Sequence, residues 1–451
     1  MAATVFDSAF YRDAFGSEAM RAIFDDAALA ARYVQVEVAL AKVQGALGLI
    51  PAEAAKTIAV KADATSLDFA KLKTETDLVG YPIVGIVHQV QKQCGEAGRY
   101  LHWGATTQDI MDTATALQVQ AALRLVGAEL DVIGASLAAL ADKHRATVMA
   151  GRTHLQHALP VTFGLKAAVW LSMIDRHRQR LREMTPRATM GQFGGAAGTL
   201  ASLGANGLKV HDALMVELKL TASPVPWHVA RDGLSEAVAF LALVTGSLAK
   251  MALDVMLMMQ TEIGEVFEPF MPGRGSSSTM PQKRNPISSE LIVALARSVR
   301  QDVGLMLDSL AGADHERATG PWHAEWIALP RAFIATGGAL AHAKFLASGL
   351  IVDTARMRRN LDMTGGLIVA EAVMMALAEK IGRGAAHDLV YGACRKALDK
   401  GTLLLDELRA MPDVTKAADE ATLQRLCDPA HYLGSADAMI TRALKRQLPN
   451  A

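Results

Sequence analysis

The sequence has little of several features that mark specialised classes of protein. Its three cysteines, Cys94, Cys394 and Cys427, stand far apart in a chain of 451 residues. An odd number at such spacing suits neither a disulfide framework nor a zinc site, and it indicates a reducing compartment. Aromatic residues make up only 5% of the chain, but hydrophobic residues make up 51%. That is enough for a large core, so a disordered chain is excluded.

The chain also lacks an excess of charge of either sign, because 46 Lys and Arg residues balance 46 Asp and Glu residues. Nucleic-acid binding requires clustered Lys and Arg, and no long basic run is present. We therefore predict no nucleic-acid partner. An anionic substrate must instead meet a local group of positive side chains.

A secretory signal and a membrane-spanning segment are also missing from the pattern. The first 16 residues contain acids and no basic region followed by an apolar block. A spanning helix requires ~20 apolar residues, whereas the most apolar stretch, residues 237–249, is soon followed by Lys250 and Asp254. We predict a cytoplasmic protein without a membrane partner, in which this stretch is a helix buried in protein.

Helical periodicity is what the sequence does contain. Apolar residues recur every three or four positions from Val119 to Leu140 and from Ile292 to Leu310. Residues 161–184 and 234–262 are long and rich in Ala, Leu and Met, and alternating strand patterns are nearly absent. This pattern predicts an all-α protein with a long central helical bundle. Helix faces that are apolar nearly all round favour burial between subunits, so we expect an oligomer.

The two ends of the chain differ from its middle, since they hold shorter helical segments that Gly and Pro interrupt. We predict three regions: an N-terminal helical domain (1–108), a long-helix bundle domain (109–352) and a C-terminal helical domain (353–451).

Three polar stretches interrupt the helical pattern. The first, residues 102–112 (HWGATTQDIMD), precedes the first long helix. Thr106, Thr107 and Gln108 stand where a helix N-terminus offers free N–H groups, which favours a carboxylate site. The alternative is an ordinary N-cap with Thr or Asp as the capping residue, and this stretch alone favours the cap.

The second stretch, residues 151–160 (GRTHLQHALP), places His154 among hydrogen-bonding residues before another helix. Because an imidazole changes protonation near neutral pH, it suits a general acid. The alternative is a surface histidine in a turn, and we assign that role to His157.

The third stretch, residues 272–290, starts as a Gly/Ser loop and ends at a helix near Glu290. It brings hydroxyls together with Lys283, Arg284 and Asn285, so it could close over an anion and hold developing negative charge. A solvated linker has no use for its Met-Pro-x-Lys-x-Asn-Pro core. No P-loop, zincin, dinucleotide or metal-ligand spacing is present, and we predict no cofactor and no metal.

These stretches resemble a known family. GSSSTMPQKRNP is similar to the signature loop of the fumarase/aspartase (fumarate lyase) superfamily, and GATTQD and GRTHLQHALP resemble its other sequence blocks in the expected order. The resemblance covers nearly the whole chain. HERATGPWHAEW and the segment from NLDMTGG to DPAHYLGSAD are most similar to the 3-carboxy-cis,cis-muconate cycloisomerase and adenylosuccinate lyase branch.

The resemblance implies a homotetramer with a core of about 20 helices and active sites shared between three subunits. It also implies a small carboxylate substrate and a residue set for its chemistry. In this set, Ser277 is the general base, His154 the general acid or its orienting group, and Glu290 the carboxylate paired with His154. Lys283 and Asn285 match the pair that binds the substrate carboxylate and the intermediate, and Thr106, Thr107 and Gln156 fall at carboxylate-binding positions. From the positive charge of the loop itself, we predict that Arg284 also binds the substrate.

The implied chemistry is the movement of a proton beside a carboxylate through a doubly negative aci-carboxylate, which preorganised donors must stabilise. Asp77 stands where adenylosuccinate lyases carry a catalytic histidine, and Trp322–Trp326 replaces an arginine-containing element, so a purine nucleotide is disfavoured. A 3-carboxymuconate cycloisomerase-like reaction is preferred. The alternatives are a C–N lyase that releases fumarate from an N-substituted aspartate, an epimerase using the same intermediate, and a non-catalytic scaffold descended from the enzymes.

Overall fold

The fold is described from a computed structural model that covers residues 3–276, 279–318 and 320–445. Helices dominate this part of the chain. The α-helices are α1 (Arg12–Phe15), α2 (Glu18–Phe24), α3 (Asp26–Ala46), α4 (Ala52–Lys61), α5 (Phe69–Val79), α6 (Ile83–Cys94), α7 (Thr107–Lys143), α8 (Phe163–Ala188), α9 (Gly207–Leu218), α10 (Asp232–Met259), α11 (Ile287–Ala311), α12 (Pro321–Gly349), α13 (Thr354–Asp362), α14 (Ala370–Ile381), α15 (Arg383–Lys400), α16 (Leu404–Arg409), α17 (Pro412–Ala417), α18 (Glu420–Leu426) and α19 (Ala436–Lys445).

Shorter elements connect these helices. The 3-10 helices are Ala64–Ser66, Gly95–Tyr100, Ala201–Asn206, Leu367–Val369 and Pro429–His431. The strands are β1 (Val148–Thr153), β2 (Gln156–Thr162), β3 (Val266–Phe267) and β4 (Ile351–Val352). They form two antiparallel pairs, β1 with β2 and β3 with β4.

The long helices carry the apolar seams that the periodicity predicts. Helix α7 has 37 residues, which corresponds to about 55 Å at 1.5 Å per residue. Its seam residues Val119, Val126, Leu130 and Ile133 are fully buried. The second seam lies in α11, where Ile292 is buried as well. The predicted all-α class with long central helices is confirmed.

The chain divides into two compact units. The first unit comprises Met1–Asp131, His177–Ala249 and Leu291–His342. Within it, α3 packs against α4, α6 and α9. Helix starts are fixed locally, because the Asp25 carboxylate accepts a hydrogen bond of 2.7 Å from the Ala28 N–H at the start of α3. Such N-caps are worth about 1 kcal/mol each.

The second unit comprises Val132–Arg176, Lys250–Glu290 and Ala343–Ala451. Its C-terminal helices α14 to α18 share a core of their own, and the β1–β2 hairpin packs against α13. The hairpin was not expected, and it moves the start of α8 to Phe163. The predicted division into 1–108, 109–352 and 353–451 stays a prediction.

One helix of the described residues is apolar and long enough to cross a membrane by length and composition. This is α10, and half of its most apolar window is buried inside the protein. A second span arises only if the bent pair Thr354–Asp362 and Leu367–Ile381 is counted as one. Buried core helices meet the same criterion, so the finding is weak evidence for a membrane.

Candidate active site

The N-terminus of α7 is organised around the buried carboxylate of Asp109. This carboxylate accepts hydrogen bonds from the N–H groups of Thr106 (3.0 Å), Gly194 (2.8 Å) and Gly195 (2.9 Å), and its Oδ1 lies 2.9 Å from Nε2 of His228. Asp109 thus caps the helix from its third position, as in a capping box. The capping interpretation of this stretch is correct for the Thr106 amide, because a carboxylate of the protein already occupies it.

The side chain of Thr106 faces a cation instead. Arg317 donates through Nη2 to the Thr106 hydroxyl at 2.8 Å and to the Ala196 carbonyl at 2.8 Å, and through Nη1 to Oε1 of Gln108 at 3.4 Å. All three acceptors are neutral, and no carboxylate of the described residues forms an ion pair with Arg317. The guanidinium charge therefore remains available to an anion near Thr106.

Sequence reasoning missed Arg317 as a site residue, although it belongs to the HERATGP segment that carries the family resemblance. Thr107 is the first residue of α7 and is half-buried beside this group. Gln108 is fully buried and donates to the His228 carbonyl at 3.0 Å, so its amide has a structural role. The structure thus brings Thr106, Thr107 and Arg317 together in the first unit.

His154 lies at the tip of the β1–β2 hairpin, in the second unit. Thr153 pairs with Gln156, so His154 and Leu155 form a two-residue turn, with φ of +50° and +64°. Turns of this type normally use Asn-Gly, because both central residues need the left-handed conformation. Non-glycine residues held there store about 1–3 kcal/mol each, and such strain concentrates at functional sites. His154 and Gln156 are both exposed on this chain.

A cavity of about 540 Å³ lies beside this turn, and His154 and Leu155 line it. Arg152 also lines it and forms a two-pronged ion pair with the buried carboxylate of Glu265, at 2.7 and 2.9 Å. Asn360 donates to the same carboxylate at 2.9 Å. The Arg152 charge is therefore largely balanced within the protein.

Lys166 and His157 supply further titratable groups on the walls of this cavity. Burial lowers the pKa of Lys166, with the Asp254 carboxylate acting in the opposite direction. Burial, followed by the Arg152 charge, also lowers the pKa of His157, whose Nδ1 is buried without a hydrogen-bond partner in the described residues. The prediction of a surface histidine in a turn is wrong for His157, because it lies in β2 and is half-buried.

The third stretch forms a loop whose base is closed by backbone contacts. The Asn285 N–H donates to the Gly275 carbonyl at 2.9 Å, and Ser276 and Arg284 form an antiparallel bridge. Gly275 has φ of +68°, and a Cβ there would lie 2.6 Å from the Asn285 carbonyl oxygen. Only glycine fits this close approach. Ser277, the predicted general base, lies outside the described residues.

Within this loop the predicted cations are used differently. Lys283 is exposed, and its N–H donates to the Met280 carbonyl at 3.0 Å. Arg284 donates to the Glu268 carbonyl at 3.0 Å and lies over the Phe267 ring, 5.3 Å from its centre. Lys283 is thus the more accessible of the two for an anion, and Arg284 fastens the loop to the protein.

The N-terminus of α11 is capped from a distance by Glu268. Its buried carboxylate accepts from the N–H groups of Ser288 (3.2 Å) and Ser289 (2.8 Å) and from the Ser289 hydroxyl (2.8 Å). Glu290 is exposed on the first turn of this helix. None of the loop residues 279–290 lines the cavity at His154. The pairing of His154 with Glu290 stays a prediction.

The polar groups of these three stretches do not form a metal centre. In the described ranges no group of three or more His, Cys, Asp and Glu side chains could hold a metal ion. The end of α7, the hairpin and the loop instead carry cations and hydrogen-bond donors, which suit an anionic substrate.

Comparison with known proteins shows which family the chain matches. The family described as "Lyase" matches residues 13–300, and "Adenylosuccinate lyase C-terminus" matches residues 366–443. A trans-aconitate decarboxylase 1 of Mycosarcoma maydis is 48% identical over 96% of this chain and 88% of its own length. A 3-carboxy-cis,cis-muconate cycloisomerase of Bradyrhizobium diazoefficiens is 45% identical over 95% of this chain and 96% of its own length.

A solved structure agrees. The crystal structure of a fumarate lyase from Mesorhizobium sp. has a TM-score of 0.90 and 51% sequence identity, and the match covers 96% of this chain and 98% of that chain. Likeness of this extent in both sequence and fold, together with the three motif-bearing stretches, shows that the chain is an enzyme of the fumarase/aspartase (fumarate lyase) superfamily, of the lyase and cycloisomerase kind.

Proposed function

We propose that this enzyme acts on an unsaturated tricarboxylate and moves a proton beside one of its carboxylates, with the cycloisomerisation of 3-carboxy-cis,cis-muconate as the favoured reaction. Two relatives that span nearly the whole chain support this substrate class, because 3-carboxymuconate and trans-aconitate are both unsaturated tricarboxylates. The small carboxylate substrate also fits the exposed Lys283 and the unbalanced charge of Arg317.

The chemistry requires a site that stabilises a second negative charge on one carboxylate of the substrate, moved there from the carboxylate that attacks. In cycloisomerisation a carboxylate oxygen adds to a carbon–carbon double bond. The electron pair of that bond moves toward the neighbouring carboxylate, and a proton is then added to the carbon beside it. The intermediate is an aci-carboxylate, so preorganised donors lower its free energy more than that of the substrate. We assign Lys283 and Asn285 to this dianion, Ser277 to the proton, and Thr106, Thr107 and Gln156 to the other carboxylates.

The strained turn at His154 is the observation that carries the proposal. Two adjacent non-glycine residues in the left-handed conformation, His154 and Leu155, strain the backbone. Strain of this kind concentrates at functional sites, which favours a functional role for the histidine. The turn presents an imidazole at the end of a rigid hairpin, beside a cavity that also contains Lys166. For cycloisomerisation, in which Ser277 handles the proton, His154 then suits the group that orients the acid, with Glu290 of the completed site as its carboxylate partner.

We further propose that the active enzyme is a homotetramer with sites shared between subunits. The long helices expose large apolar side chains that one chain leaves uncovered, namely Val132, Val169, Leu243, Leu253 and Leu307, with 46–53% of their surface accessible. Exposed apolar surface of this kind supports association. Sharing also accounts for the exposure of His154, Lys283 and Glu290 on a single chain. A cytoplasmic location remains our prediction.

Decarboxylation is the second candidate, and it is favoured by the 48% identity to a trans-aconitate decarboxylase. Loss of carbon dioxide leaves an electron pair beside a remaining carboxylate, so the same donors would stabilise it. Elimination of fumarate from an N-substituted aspartate, epimerisation through the same intermediate and a non-catalytic scaffold descended from the enzymes rank below these two reactions.

A substrate panel separates these reactions. Purified full-length protein is given 3-carboxymuconate, trans-aconitate and N-substituted aspartates, and lactone, carbon dioxide and fumarate are measured as products. Lactone formation with the greatest kcat/KM is the expected result. Carbon dioxide or fumarate as the main product would replace cycloisomerisation with decarboxylation or with C–N elimination, and inactivity on the whole panel would support the scaffold.

Variants in the loop test the residue assignments. Ser277→Ala is expected to lower kcat about 10²- to 10⁴-fold, as loss of a general acid–base group does. Lys283→Met is expected to lower it about 10²- to 10³-fold, because it removes a donor to the dianion. Ser276→Ala is the matched control, since its hydroxyl donates to the Gly273 carbonyl at 2.9 Å. Full turnover by Ser277→Ala in an intact oligomer would refute the assignment.

A further inference from the structure

A separate cavity of about 180 Å³ lies inside the first unit, between α3, α7 and α12. It begins one helical turn beyond the N-terminus of α7, and Thr106, Thr107 and Arg317 do not line it. Its walls are mainly apolar and aromatic. The wall residues include Leu29, Tyr33, Thr115, Arg231, Trp322 and Trp326.

The charged side chains on one side of this cavity already form hydrogen bonds within the protein. Arg231 is fully buried and donates to both carboxylate oxygens of Asp112, at 2.7 and 3.0 Å, and to both of Glu325. Trp322 donates through Nε1 to Asp112 at 3.0 Å. One cation thus faces two carboxyl groups, and among the described wall residues no free cationic donor remains for an anionic ligand. An anionic ligand would meet an uncompensated loss of hydration.

The hydroxyl of Tyr33 differs from these hydrogen-bonded groups. Its side chain lines the cavity and only 4% of the residue is exposed, yet its hydroxyl has no hydrogen-bond partner among the residues that the structure describes. Burial, and then the Asp112 charge, raise the pKa of this phenol well above its ordinary value, so it is a neutral donor. A ligand that accepts a hydrogen bond from this hydroxyl would therefore gain affinity from it.

The size and the walls of the cavity indicate the shape of that ligand. An apolar cavity of about 150 Å³ is known to bind benzene, and this one is slightly larger. The rings of Trp322 and Trp326 stand edge to face, 5.0 Å apart between centres, and both contribute to the wall. A third ring packs favourably against such a pair in offset or edge-on geometry.

We propose that this cavity is a binding site for an uncharged, single-ring aromatic molecule that carries a hydroxyl group, with Tyr33 donating a hydrogen bond to that hydroxyl. Thr115 can accept a hydrogen bond from the ligand's hydroxyl, because its own hydroxyl hydrogen already goes to the Met111 carbonyl at 3.0 Å. The site is distinct from the carboxylate-binding residues, and the proposal does not depend on which reaction the enzyme catalyses.

Phenol is the probe, and calorimetry on the full-length protein measures its affinity beside those of toluene, benzoate and benzylamine. Phenol is expected to bind most tightly, toluene more weakly, and benzoate not at all. Tyr33→Phe is expected to weaken phenol about fivefold to tenfold, the effect of one hydrogen bond, and to leave toluene unchanged. Tyr81→Phe is the matched control, because Tyr81 packs against Trp322 at 5.6 Å but does not line the cavity.

A filling variant, Leu29→Phe, is expected to abolish binding of both phenol and toluene, and thermal unfolding without ligand shows whether it folds. If it does not fold, the comparison of Tyr33→Phe with Tyr81→Phe still decides. Equal phenol affinity in the native protein and Tyr33→Phe would overturn the proposal, as would binding of benzoate or benzylamine at least as tight as that of phenol.

Discussion

Arg231 in the first unit lines the proposed aromatic cavity, and Lys283 in the second unit lies in the loop of the candidate active site. Both are cations, but one is buried and the other is exposed. Arg231 is buried between Asp112 and Glu325 and donates to both carboxylates, whereas Lys283 is exposed in a loop. The same contrast separates the buried Asp109–His228 pair from the exposed His154. Arg231 and Asp109 therefore have their charged partners within one chain, whereas Lys283 and His154 are exposed on it.

The largest effect is expected from breaking the complete network. Arg231→Met leaves the carboxylates of Asp112 and Glu325 buried without their cation, and removal of one partner from such a group typically costs about 3–5 kcal/mol of unfolding free energy. Urea denaturation measures it. Arg187→Met is the control, because its ion pair with Glu236 is largely exposed and is worth about 1 kcal/mol or less. Equal losses in both variants would contradict the contrast.

A smaller effect is expected from the base of the loop that carries Lys283. Gly275→Ala combines a left-handed φ with a Cβ that lies 2.6 Å from the Asn285 carbonyl oxygen, so the Gly275–Asn285 contact must open. Strain of about 1.4 kcal/mol at the reacting geometry corresponds to a tenfold loss of kcat/KM. Gly273→Ala is the matched control, with φ of +77° but no atom within 4 Å of the added carbon. A loss in Gly273→Ala as large as that in Gly275→Ala would mean that the contact is unimportant.

The smallest effect on the unfolding free energy is expected at His102 of the first unit. This histidine pairs with a buried carboxylate, and its protonation still changes with pH. Burial lowers the pKa of His102, but the charge and hydrogen bond of Glu37, whose Oε1 lies 2.5 Å from Nδ1, outweigh it and the net pKa is raised. A raised folded-state pKa stabilises the protein fully below the unfolded value, about 6.5. That stabilisation is lost as the pH rises through the folded-state pKa.

His102→Gln should therefore reduce the unfolding free energy more at pH 6 than at pH 9, as measured by urea denaturation at both values. The exposed His387 provides the control substitution His387→Gln. A difference between native protein and His102→Gln that is unchanged between the two pH values would show that the ion pair does not contribute.

The sequence allows the helices to be predicted because their pattern is local. The spacing from Val119 to Leu140 needs only the period of one helix, and α7 and its burial follow from it. The hairpin was missed because Gly151 and Pro160 break the alternation of β1 and β2. Its turn also contains His154 and Leu155 where a turn pattern calls for Asn-Gly.

The contacts of the candidate site depend on residues far apart in sequence, and this limits what can be predicted. Arg317 meets Thr106 across 211 positions, and Asp109 meets the Gly195 amide across 86. Neither contact has a local signature. The three polar stretches could be picked out from the sequence as candidate site segments. The sequence did not indicate that the carboxylates of Asp109 and Glu268 already accept hydrogen bonds from N–H groups at the helix N-termini.

The two-residue turn at His154 also matters to anyone who sets out to make this enzyme more durable. Statistical or computational redesign of the hairpin favours Asn-Gly at these two positions, since it relieves the left-handed strain. Such a change would be scored as an improvement in folding and would delete the imidazole. Gains in stability at positions like this one commonly come with lost activity, so this turn is best held fixed while the rest of the chain is engineered.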